Sequence, residues 1–188
     1  TGFMAAFLTN TICLIVAAIA WVLFMGYATR GKRTGLFGNF IVSACIALPF
    51  IYGGFAVKEE LNPVLIIFST MAFLSTAGRE ITKGIADIRG DKLHNVKTLA
   101  VLFGPKTAAF SAATFYAAAI ALSFLPWTLG EVSLWYLPLV ILADGGFLSS
   151  SIALLRDHSR ENAEKVKNLV RIWMVLSLLA FIAGKFGY

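Results

Sequence analysis

The sequence predicts an all-α protein, a polytopic transmembrane helical bundle with six spans in this chain. Three observations carry that prediction. Of 188 residues, 59% are hydrophobic and only 14% charged, against about 45–50% and about 25% in an ordinary soluble domain. The mean hydropathy is +0.80. The apolar residues gather into six runs close to the ~20 residues that a helix needs to cross the hydrocarbon core. Together these exclude a disordered chain, a fibrous protein and a soluble enzyme of average build. The net charge of +6 does not imply nucleic acid, because the basic residues sit in short loops between apolar runs, as membrane topology requires.

The first run covers residues 3–27 and the second 36–57. The third, 63–82, opens on Asn62-Pro63, a capping side chain followed by proline at the first helical position. The fourth covers 99–125, the fifth 134–155 and the sixth 169–186. Pro49, Pro126 and Pro138 fall within or at the ends of runs, where membrane helices tolerate proline as a kink. No repeat and no low-complexity linker interrupts the chain, so residues 1–188 read as a single domain. Cys13 and Cys45 both lie in apolar runs with no C-x-x-C pair, and read as inert buried thiols. No basic segment precedes the first run, so it is expected to be a membrane span and not a signal peptide.

The loops alternate in charge. All Lys and Arg residues except Lys58 and Lys185 fall in or beside the first, third and fifth loops. The positive-inside rule assigns those loops to the cytoplasm and both chain ends to the other side.

The third loop is long and charged in both signs, from Arg79-Glu80 through Asp87-Ile88-Arg89-Gly90-Asp91-Lys92. If the third helix runs on past the membrane, Asp87 and Asp91 share one face about 6 Å apart, and Glu80 joins the same stripe. Two carboxylates without His or Cys beside them favour a hard cation. Mg²⁺ takes one or two protein carboxylates and completes its shell with water and substrate phosphate oxygens. The surrounding Arg79, Lys83, Arg89, Lys92 and Lys97 supply anion-binding charge. The same spacing also reads as a solvated helix end with i,i+4 ion pairs.

The stretch Asp87-Ile88-Arg89-Gly90-Asp91-Lys92, then Asn95-Val96-Lys97-Thr98-Leu99 and Gly104, resembles the second aspartate-rich motif of the UbiA superfamily of intramembrane prenyltransferases. Arg79-Glu80-Ile81 and Gly31-Lys32-Arg33-Thr34-Gly35-Leu36-Phe37-Gly38-Asn39 resemble its archaeal branch, which makes digeranylgeranylglyceryl phosphate. The resemblance implies nine transmembrane helices and two aspartate motifs that hold Mg²⁺ against an allylic diphosphate. Asp87 and Asp91 match the second motif as catalytic and metal-binding positions. A family lysine that contacts diphosphate maps onto Lys32; Arg30, Arg79, Lys97 and Tyr27 join the implied diphosphate set. Three departures stand out. Gly84 occupies a position where the archaeal pattern often has aspartate, and Ala28 one where many members have tyrosine, with Tyr27 beside it. The first motif, N-x-x-x-D-x-x-x-D, is absent. The chain therefore resembles the last two-thirds of such an enzyme, and about three helices are expected upstream.

Asp144, inside the fifth run, is a functional-site candidate by position, with a structural aspartate as the favoured reading. The Asp144-Gly145 pair continues as Gly146-Phe147-Leu148, not as a phosphotransferase motif. His94 reads as a loop residue beside the motif and His158 as a solvated one; Asn39 reads equally as a helix cap or a phosphate contact. The expected function is Mg²⁺-dependent transfer of a prenyl group from an isoprenyl diphosphate donor to a lipid acceptor, geranylgeranylglyceryl phosphate. The active site is expected on the cytoplasmic side of the cell membrane. An aromatic acceptor is the alternative chemistry. A transporter or channel subunit is the alternative class, disfavoured because the charges lie at one end and no inverted repeat is visible.

Overall fold

The computed structural model describes residues 1–29, 31, 34–58 and 62–186. Among them, six helices are long and apolar enough to cross a membrane, and the described residues form no strand. The first run is not one helix. It forms α1 (Gly2–Thr9) and α2 (Thr11–Thr29), because Asn10 adopts an extended backbone. Its side chain accepts from the Cys13 N–H and donates to the Phe55 carbonyl, each at 2.7 Å. One polar residue thus breaks the helix, caps the next and ties both to α3 (Leu36–Lys58).

The third run forms α4 (Pro63–Ala86), capped as the sequence predicts: the Asn62 side chain accepts from Val64 N–H at 2.8 Å, with Pro63 at the first position. The helix runs four residues past the apolar window and passes at Asp87 into α5 (Ile88–Leu93). Most of the expected long loop is therefore helical. The fourth run is divided into α6 (Leu99–Phe103) and α7 (Pro105–Ser123). Gly104, at φ +86°, breaks it ahead of a proline. A short α8 (Leu125–Thr128) leads to α9 (Tyr136–Arg156). The fifth loop is cut to residues 157–159, since α10 (Arg160–Gly184) begins nine residues before the expected start. Ser159 caps it, and Ala163, Val166 and Val170 bury one face of its charged first turns.

The helix α4 is the centre of the bundle. It packs against α3, α7 and α10, while α9 bridges α7 and α10, closing a four-helix ring; α2 and α1 extend the bundle beyond α3. Small residues permit the close approaches. Ala108, Ala109 and Ala112 line α7 where it meets α4. A side chain at Gly78 would collide with the Tyr116 ring, and one at Gly146 with Trp173. Tyr116 is fully buried and shares a 2.9 Å hydrogen bond with Thr82. The outward faces remain apolar, with Trp21, Phe24, Leu142 and Ile172 all more than half exposed; such a surface suits lipid.

The chain alternates between the two ends of the bundle. Gly35, at φ +62°, lies so close to Lys97 that an added Cβ would overlap its carbonyl, so the first and third loops share an end. At the opposite end Ser133 N–H donates to the Gly184 carbonyl at 2.8 Å.

Candidate active site

Two cavities lie in the bundle and share a lining residue, Glu80. The first, of about 470 Å³, is bounded by α3, α4, α7, α9 and α10 and is mostly apolar. Along α4 it extends from Phe68 to Glu80, roughly 18 Å at the rise of a helix. Its far end carries an aromatic group: Phe68 and Phe181 have ring centroids 4.0 Å apart, and Phe50 stands 6.4 Å from Phe181. Its near end carries Thr76, Arg79, Glu80 and Arg171. The second cavity, of about 750 Å³, is polar and opens where the first and third loops meet. Tyr27, Asn39, Lys83, Gly84, Asp87, Asp91, His94 and Thr98 line it, and so does Glu80. Glu80 therefore stands between the two.

The local sequence explains the polar cavity. Glu80, Lys83, Gly84, Asp87 and Asp91 follow helical spacing, so continued helix puts them on one stripe. The Asp91 N–H donates to the Asp87 carbonyl at 2.9 Å, so the helical turn survives the join between α4 and α5. Burial, and after it the charge of Asp87, pushes the Asp91 carboxyl above the usual carboxylate range; a hydrogen bond from Thr98 and the charges of Lys83 and His94 oppose that. Thr98 is buried and also caps α6. Thr98 lies within the motif, but its spacing assigns it no role; the return of the chain at 94–98 brings it to Asp91. Asn39 lies inside α3 and not at its cap, facing the polar cavity. Exposed His94 borders the same space.

The donor set suits a hard cation completed by its substrate. Among the described residues no group of three or more His, Cys, Asp or Glu side chains is placed to hold a metal. Two carboxylates that repel one another, next to basic side chains, fit Mg²⁺ with phosphate oxygens in its remaining positions. A carboxyl held above its unfolded value favours the metal-free fold at acid pH, and that contribution is lost as pH rises through the raised value. A cation at the pair reverses the trend. Thermal stabilisation by Mg²⁺ is thus expected to be absent at acid pH and to grow as pH rises through the raised Asp91 value, read as melting temperature with and without Mg²⁺.

The other sequence-derived positions separate. Tyr27 borders the polar cavity. Arg79 lines the apolar one instead, with its Nη1 2.9 Å from Glu80 Oε1. Lys97 is exposed and borders neither cavity. Lys32 and Arg30 lie outside the described residues. Asp144 lines the apolar cavity and accepts from the Ser123 hydroxyl at 2.6 Å, while Tyr136 donates to the Ser123 carbonyl.

Comparison with known proteins gives a consistent family. A family model described as the UbiA prenyltransferase family matches residues 1–179. The digeranylgeranylglyceryl phosphate synthase of Methanothermobacter thermautotrophicus is 34% identical over 170 residues, covering 90% of this chain and 60% of that protein. The synthase of the same name from Methanocaldococcus jannaschii is 38% identical over 159 residues, covering 84% and 55%. A solved structure reported for digeranylgeranylglyceryl phosphate synthase in membranes superposes with a TM-score of 0.88 at 33% identity, covering 97% of this chain and 64% of that one. An apo UbiA homologue from Aeropyrum pernix shares the fold, with a TM-score of 0.78 at 18% identity. The chain spans 55–60% of the length of the two curated relatives.

Proposed function

The chain belongs to the UbiA prenyltransferase family, and we propose that it takes part in moving a prenyl group from an allylic isoprenyl diphosphate to geranylgeranylglyceryl phosphate. It is an integral membrane protein. The observation that carries the reading is Glu80, which lines both a charged pocket and an apolar cavity long enough for a polyprenyl tail. The diphosphate head takes the polar cavity and the tail the apolar one, directed toward Phe50, Phe68 and Phe181.

Asp87 and Asp91 hold Mg²⁺. When bound, the cation supplies Lewis-acid neutralisation of the departing diphosphate. Lys83, together with Lys32 and Arg30 from the first loop, stabilises the negative charge that grows on the leaving group as the C–O bond breaks. The apolar walls keep water from the allylic carbon, so the acceptor hydroxyl is the nucleophile that reaches it. Lys32→Ala is expected to raise the KM for the donor about tenfold while leaving the Mg²⁺ requirement unchanged, as measured by steady-state kinetics.

Product identification tests the reaction. Membranes containing the full encoded polypeptide, given labelled geranylgeranyl diphosphate and geranylgeranylglyceryl phosphate, are expected to form the doubly prenylated ether, and chelation of Mg²⁺ to stop it. Label arriving on an aromatic acceptor alone would favour the alternative chemistry. The basic first, third and fifth loops support a cytoplasmic site, by the positive-inside rule. In a Cys-free background, single cysteines in the first and third loops should resist an impermeant thiol reagent applied to sealed cells. Ready labelling from outside would overturn the placement.

A further inference from the structure

We infer that Thr76, Arg79 and Arg171 form a second anion subsite, at the charged end of the apolar cavity, which takes the phosphate monoester of the lipid acceptor. The inference rests on the prenyl-transfer reading above.

Thr76 and Arg79 lie three residues apart on α4, which puts them on neighbouring points of one face, and both line the apolar cavity. Thr76 is 3% exposed, and its buried Oγ1 has no hydrogen-bond partner among the described residues. That departs from the rest of the helix. Ser75 and Thr82 return their hydroxyls to the carbonyls of Met71 and Gly78, at 2.8 and 2.9 Å. The buried Nε of Arg79 also lacks a partner among the described residues, although its Nη1 is engaged by Glu80. Across the cavity α10 contributes Arg171, whose Nη2 stands a long 3.5 Å from Asn168 Oδ1.

Burying an unpaired donor is unfavourable, and more so when it is charged. Two such groups within one turn, facing a second guanidinium, call for a ligand that accepts hydrogen bonds. The hydroxyl and both guanidinium groups can all donate, and they suit the oxygens of a phosphate. Both arginines lie toward the charged ends of α4 and α10, at the same end of the bundle as the polar cavity.

The subsite is separate from the diphosphate pocket. Neither Arg79 nor Arg171 borders the cavity of Asp87 and Asp91, and Glu80 stands between the two spaces. Two polyanionic heads brought to one end of a bundle repel each other unless each has its own cations. The arrangement gives the monoester Arg79 and Arg171, and leaves the diphosphate to Lys83 and the metal pair.

Kinetics with two acceptors test this, using the full encoded polypeptide in lipid nanodiscs. One acceptor is geranylgeranylglyceryl phosphate and the other the same molecule without its phosphate. The wild type is expected to prefer the phosphorylated acceptor. Arg171→Gln should raise the KM for that acceptor about tenfold or more, leaving the donor KM and the KM for the uncharged acceptor unchanged, with Arg171→Lys recovering part of the loss. Thr76→Val, nearly isosteric, should weaken the same KM about threefold without lowering the melting temperature. A rise in donor KM with acceptor KM unchanged would assign these side chains to the diphosphate and overturn the subsite. So would a wild type that uses both acceptors equally well, or variants with unaltered kinetics. A wild type that prenylates neither acceptor overturns the parent reading and the subsite with it.

Discussion

Asp87→Asn and Asp91→Asn are each expected to lower turnover by about 100-fold or more while leaving folding and membrane insertion intact. Each substitution keeps the shape of the side chain and removes one negative charge from a pair whose proposed work is to hold a divalent cation. Losing such a ligand commonly removes several kcal/mol of transition-state stabilisation. Neither residue belongs to the apolar clusters of the bundle. Asp91 is raised by burial and by the charge of Asp87, so Asp87→Asn relieves repulsion in the metal-free protein. The metal-free variant should therefore melt no lower than the wild type, yet lose its response to Mg²⁺. A solvated charged helix end predicts a change of about 0–1 kcal/mol and unaltered turnover. Rate, Mg²⁺ dependence and melting temperature, measured together, separate the two readings.

Gly35→Ala is the second large effect, expected to lower the melting temperature clearly and to abolish donor binding. Gly35 holds φ +62°, a conformation that costs any L side chain about 1 kcal/mol. The larger contribution is steric. The new Cβ would overlap the backbone of Lys97 and Thr98, and backbone cannot swing aside as a side-chain tip can. The two strands of chain held together here are walls of the polar cavity, and Thr98 in turn supports Asp91. Separating them destabilises the fold and opens the pocket at once. Gly26→Ala is the matched control, since an added Cβ there meets nothing within 4 Å. Thermal unfolding and diphosphate binding of the two variants should diverge.

The spans were legible because hydrophobicity at membrane length is a strong signal, and the Asn62-Pro63 start carried its own mechanism. The interruptions were not. Asn10 and Gly104 each look like one tolerated residue within an apolar run. Their effect depends on a distant carbonyl at Phe55 and on a positive φ that composition does not reveal. The charged start of α10 was missed because an apolar window measures the membrane, not the helix. Ala163 and Val166 continue the buried face below it.

The carboxylate stripe from Glu80 to Asp91 was legible from helical spacing alone. The basic residues were harder. Pooling them by loop put Arg79 beside the diphosphate, although it sits about 100° around the helix from Glu80 and lines the other cavity. Thr98 could not be paired with Asp91 from sequence, because their contact depends on a turn through Asn95, at φ +53°.

The central claim is that Asp87 and Asp91 hold a divalent cation against a prenyl diphosphate. It is tested most directly by equilibrium titration of the full encoded polypeptide with an unreactive thiolodiphosphate analogue of the donor. Saturable binding that requires Mg²⁺ and is lost in the Asp87→Asn, Asp91→Asn double variant is the expected result. Tight binding without Mg²⁺, or binding that the double variant retains, would contradict it.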